Sequence, residues 1–116
     1  MYICEEIKDY DVEYFAGGKK QDGNNYYRAI IGLRRDDLSL IGAAYFYRDA
    51  DSVPTTDKIE SENNYIWANY RSEDFPRILN ILRSEKPVYI NYVDGSEMAY
   101  ISTAMEPIGD QIRQND

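Results

Sequence analysis

The chain has 116 residues, 43% hydrophobic and 29% charged, a composition that suits one globular core and lacks the signature of disorder. Thirteen basic residues against 21 acidic ones give a net charge of −8, which argues against nucleic acid or anionic lipid as partner. There is no apolar run near the ~20 residues of a membrane span, no basic-then-apolar leader and no partner for the lone Cys4, so the sequence predicts a cytoplasmic protein off the membrane.

Residues 2–7 and 12–15 read as strands separated by the polar turn Lys8-Asp9-Tyr10-Asp11. The stretch 16–25, with Gly17, Gly18 and Gly23 among lysines and amides, reads as a mobile loop. From 26 to 34 apolar residues alternate, with Tyr27, Ala29, Ile31 and Leu33 on one face and Arg28 and Arg34 on the other. Residues 39–47 follow as hairpin partner. A two-residue Asp36-Asp37 loop would set Leu33 against Leu40, Ile31 against Gly42, Ala29 against Ala44 and Tyr27 against Phe46. The opposite face, with Ile30, Ile41, Ala43 and Tyr45, is too apolar for open water, and either the helix or a second subunit is expected to cover it.

The polar connection 48–64 is unresolved by pattern, and 65–70 reads as a strand buried on both faces. Phe75, Ile78, Leu79 and Leu82 recur at helical spacing behind a Ser72 cap, and Lys86-Pro87 stops the helix. Residues 88–93 and 96–103 then form a hairpin about Asp94-Gly95, with Val88 opposite Ile101 and Ile90 opposite Ala99 on the core face. Tyr89, Asn91, Met98 and Tyr100 fall on its other face, and the tail from about 105 to 116 is expected to fray. The sum is a single α+β domain over 1–116: a mainly antiparallel sheet of about six to seven strands, one amphipathic helix over about 73–85 and a C-terminal hairpin.

With no histidine in the chain, the usual near-neutral base is missing and neither a Ser-His-Asp nor a Cys-His arrangement can be built. Cysteine and histidine clusters for zinc are absent, and Asp36-Asp37 and Asp49-Ala50-Asp51 match no calcium loop, so neither metal nor cofactor is expected. Gly17-Gly18-Lys19-Lys20 lacks the spaced glycines and following helix of a phosphate loop. Glu60, Glu62, Glu73 and Asp74 offer carboxylates, but nothing in the sequence sets two of them at a glycosidase separation. No catalytic residue is assigned.

The stretch Leu82-Arg83-Ser84-Glu85-Lys86-Pro87-Val88-Tyr89-Ile90, then Ile101-Ser102-Thr103 and Glu106-Pro107-Ile108-Gly109, with Gly42-Ala43-Ala44-Tyr45-Phe46-Tyr47 upstream, resembles small, mainly cyanobacterial proteins without assigned activity. The resemblance implies a bacterial cytosolic origin and a shared fold, and it carries over no site residue.

Twelve tyrosines stand beside one tryptophan, and tyrosine suits half-buried sheet faces and interfaces because the ring excludes water while the hydroxyl keeps a hydrogen bond. The first expectation is therefore a noncatalytic interaction or self-assembling domain, a homodimer closed over the aromatic face. The alternative is a small-ligand or peptide module using Arg28, Tyr45, Trp67, Tyr89 and Tyr100, with Arg28 or Arg34 meeting an anionic group or nearby acids a basic one. An acidic inhibitor protein is a subtype of the latter.

Overall fold

The structure is a computed structural model that describes residues 2–17 and 27–104. From Gly18 onward the expected loop over 16–25, together with Tyr26 and the tail expected over 105–116, lies outside the described residues. Among the described residues, eight strands and one α-helix give an α+β fold: β1 (Tyr2–Ile7), β2 (Asp9–Tyr14), β3 (Tyr27–Arg34), β4 (Leu40–Tyr47), β5 (Lys58–Glu60), β6 (Tyr65–Arg71), α1 (Phe75–Ser84), β7 (Val88–Val93) and β8 (Met98–Thr103). They form two sheets, β1-β7-β8 and β2-β3-β4-β6-β5, and every pairing is antiparallel except that of β4 with β6. The strand hidden in the polar connection is β5, whose three residues are too few to show an alternation.

Lys8 alone separates β1 from β2, yet the two strands enter different sheets. Instead of the polar turn predicted over 8–11, the alternation Asp9-Tyr10-Asp11-Val12-Glu13-Tyr14 continues as strand, and Tyr10 packs against the main core. A second tie between the sheets is the fork of Arg35, whose Nε and Nη2 each donate at 2.9 Å to a different oxygen of Glu5 on β1.

The β3–β4 loop is wider than the two residues predicted. Arg35 N–H donates to the Ser39 carbonyl (2.8 Å) and Leu38 N–H to the Arg35 carbonyl (2.9 Å), with Leu38 in the left-handed region at φ 73°. The Asp37 carboxylate accepts the Ser39 N–H (3.0 Å) and hydroxyl (2.7 Å), and these bonds hold its pKa below the ordinary carboxylate value. The register consequently moves by two, so that Leu33 opposes Gly42, Ile31 opposes Ala44 and Ala29 opposes Phe46. A shift of two preserves faces because side chains alternate with period two. Two local irregularities do not preserve them: one beside Leu33 and Arg34 carries Ile41 into the main core, and one between Tyr27 and Ala29 carries Tyr27 onto the outer face.

The C-terminal hairpin departs in the same way. Its loop spans 94–97, closed by Glu97 N–H to the Asp94 carbonyl at 3.2 Å with Glu97 at φ 51°. Val88 thus opposes Thr103, Ile90 opposes Ile101 and Tyr92 opposes Ala99. The core face again survives.

No side chain caps the helix: Ser72 sits in a 3₁₀ turn over Ser72–Asp74, and α1 begins at Phe75 with Pro76 in its first turn, where a missing N–H costs nothing. The predicted stripe does face inward, with Ile78 and Leu82 buried and Phe75 and Leu79 packed beside them. The main core lies between α1 and the inner faces of both sheets, centred on Ile31, Leu33, Phe46, Ile66 and Ile90, all fully buried.

Candidate functional site

A second apolar cluster forms on the outer face of the five-stranded sheet, where Ala43, Tyr45 and Tyr47 are buried and Tyr27, Ile30, Tyr65 and Trp67 pack against them. It exists because β4 and β6 run parallel, which requires the chain to cross over between them. Residues 48–57 make part of that crossover, and Val53 packs onto the cluster. The chain thus supplies part of the cover that the sequence assigned to the helix or a second subunit.

The rings are locked to one another. Trp67 stacks on Tyr45 with centroids 4.9 Å apart and planes 15° off parallel, and Tyr65 meets it edge-on at 5.3 Å. Tyr27 lies 5.3 Å from Tyr45 and 5.1 Å from Tyr47. The Tyr45 and Tyr65 hydroxyls are 2.7 Å apart; burial first, and this bond second, push the Tyr45 pKa well above that of a free phenol. Tyr47 donates its hydroxyl to Asn69 Oδ1 at 2.7 Å.

Between the crossover and these rings lies a cleft of about 240 Å³, lined by Tyr27, Tyr47, Pro54, Thr56, Lys58, Trp67 and Asn69. Its rim is fixed by Asp57. Just before β5 begins, the Asp57 carboxylate accepts Asn69 N–H of β6 and Ala99 N–H of β8, both at 2.8 Å. Asn69 Nδ2 donates to the Thr56 carbonyl at 3.3 Å. Lys58, beside Trp67 in the β5–β6 register, holds its Nζ 4.9 Å from the indole centroid.

The residues singled out from sequence do not converge. Tyr45 and Trp67 meet, and Tyr45 lies beneath the cleft as its support. Arg28 is directed elsewhere, donating to the Phe15 carbonyl at 3.1 Å. Arg34 is held by Asp11 at 2.8 Å and by the Leu38 carbonyl at 2.8 Å. Tyr89 and Tyr100 lie on the outer face of the other sheet with buried Asn91, which accepts from Tyr2 at 2.7 Å and donates to Ser102 Oγ at 2.9 Å. Sequence reasoning missed Tyr27, Tyr47, Lys58 and Asn69. Only the parallel pairing of β4 with β6, and the β5 register, bring them together, and neither leaves a local signal.

A larger cleft of about 430 Å³ opens where the chain changes sheets, floored by Ile7, Leu82 and Val88 and ringed by Glu6, Lys8, Asp9, Asp36, Glu85 and Lys86. Its charges are of both signs, with Lys8 lying 3.4 Å from Glu6, and Tyr10 is the one ring among its described lining residues. Among the described residues no three cysteine, aspartate or glutamate side chains are grouped to hold a metal ion, and no helix is long and apolar enough to cross a membrane. No protein-family model, curated protein or solved structure matches the chain.

Proposed function

We propose that the chain is a noncatalytic recognition domain that holds one ring-bearing group, from a protein partner or a small molecule, in the cleft beneath its crossover. The observation that carries this reading is the convergence of Tyr27, Tyr47 and Trp67 with Pro54 around a space of about 240 Å³, in a cluster separate from the main core. Interlocked rings lose little entropy on binding, and aromatic residues dominate binding energy at interfaces. Display selection of peptides against the full chain, counter-selected on Trp67→Ala, tests it. Sequences enriched only by the parent chain support the reading; equal enrichment on both, with the variant folded by circular dichroism, removes it. A bacterial cytosolic setting, implied by the resemblance, belongs to the same proposal.

Self-association is a second reading, favoured by the outer face of β1-β7-β8. Tyr2 and Met98 are 58% and 46% exposed there, and of the residues alternating onto that face only Glu6 is charged. Two chains of charge −8 repel least where neither carries charge. Sedimentation velocity should show a dimer that Met98→Lys returns to monomer. A parent chain that stays monomeric at high micromolar concentration rules it out.

A further inference from the structure

We propose that the crossover cleft is selective for a planar apolar ring bearing an adjacent anionic group, the ring lying between Pro54 and the Tyr47 and Trp67 side chains and the anion meeting Lys58. This rests on the recognition reading above and specifies what is recognised.

The polar groups of the cleft are largely engaged already. Tyr47 and Asn69 are bonded to each other, and Asn69 Nδ2 is bonded to the Thr56 carbonyl. What remains toward a ligand, among the described residues, is the hydroxyls of Tyr27 and Thr56, the indole N–H of Trp67 and the ammonium of Lys58, the one charge of the described lining. No carboxylate of the described residues lies within 4.0 Å of that ammonium. Glu60, two residues along the same strand, accepts from Asn63 Nδ2 at 2.9 Å, and Asp57 is committed to two backbone N–H groups. Among the described residues, Lys58 therefore lies over an indole face as a cation with no counter-charge within 4.0 Å.

The overall charge of −8 points the other way, toward cationic ligands, but its reach is limited. At physiological ionic strength exposed charges more than about 8 Å apart are largely screened, so the charges beside the cleft decide, and of these Lys58 belongs to the lining while Asp57 turns its oxygens to the Asn69 and Ala99 N–H groups. Size narrows the class further. Drug-sized ligands need roughly 300–1,000 Å³, and about 240 Å³ fits one ring with a short appendage and excludes a dinucleotide or a tetrapyrrole.

The test uses the full chain and three probes of matched shape: 3-phenylpropionate, 3-phenylpropanamide and 3-phenylpropylammonium. Trp67 is the only tryptophan, so its single indole N–H resonance reports the cleft directly. The carboxylate should bind at least about tenfold more tightly than either partner probe. Lys58→Met should remove that margin while leaving the amide unchanged, and Lys58→Glu should transfer the preference to the ammonium probe. Equal binding of all three probes to the parent chain, or unchanged carboxylate binding by Lys58→Met, overturns the anion selectivity and leaves the recognition reading standing. No movement of the indole resonance with any probe overturns both. A capped Phe-Asp dipeptide set against its Phe-Asn counterpart separates the sources: tighter binding than the free acid assigns the group to a polypeptide, weaker binding to a small molecule.

Discussion

Leu38 holds a left-handed backbone, at φ 73°, that costs an L-residue about 1–2 kcal/mol, and with 58% of its surface exposed the side chain returns little by burial. Leu38→Gly should therefore raise stability by about 1 kcal/mol, read as a higher urea midpoint at unchanged slope. The same residue explains why the hairpin register was not legible: the sequence offers Asp36-Asp37 as the turn, and no glycine marks the left-handed position. Tyrosine ionisation is a second residue-scale handle. Burial, followed by the Tyr65 hydroxyl for Tyr45 and by the charges of Asp57 and Asp74 for Tyr70, raises both pKa values. A phenol whose folded pKa stands above its unfolded value of about 10 stabilises fully below pH 10 and progressively less as pH climbs toward the folded value. Urea midpoints should be flat from about pH 7 to 9 and fall above 10, at up to about 1.4 kcal/mol per pH unit for each of the two rings. A flat profile to pH 11 would contradict their burial.

Among the elements, β4 and β6 approach so closely that a Cβ built at Gly42 would fall onto the Ile66 carbonyl oxygen and crowd its N–H. Backbone cannot yield as a side-chain tip can, so Gly42→Ala should cost about 3 kcal/mol or more by chemical denaturation. Since β6 carries Trp67 and Asn69, the same substitution should also shift the Trp67 indole resonance. The helix was the most legible element, because Ile78 and Leu82 announce a buried stripe through spacing alone and helical periodicity is local. Its start was not legible, since Ser72 has the right chemistry for a cap but is drawn into the preceding 3₁₀ turn. The strand faces were legible to the extent that registers moved by even numbers. Where an irregularity intervened, Tyr27 and Ile41 changed sides.

For the molecule as a whole, the two sheets meet at Asp57, whose carboxylate joins β6 to β8 and whose backbone N–H donates to the Glu97 carbonyl at 2.9 Å. Asp57→Ala leaves two amides without an acceptor and should destabilise by about 3 kcal/mol, with Asp57→Asn, which keeps one acceptor oxygen, intermediate. Amide hydrogen exchange should quicken at Asn69 and Ala99 together, and exchange that quickens at one alone would separate the two bonds. By itself the sequence determined the α+β class, the inward helix stripe and the alternating strand faces, because each follows from a repeat that neighbouring residues write locally. Only the tertiary structure decided that β1 and β2 part into separate sheets, that β4 and β6 run parallel, and that Lys58, Pro54 and three aromatic rings share one cleft. Those outcomes depend on which distant strands find each other, and that choice is made by the fit of whole faces, which no window along the chain contains.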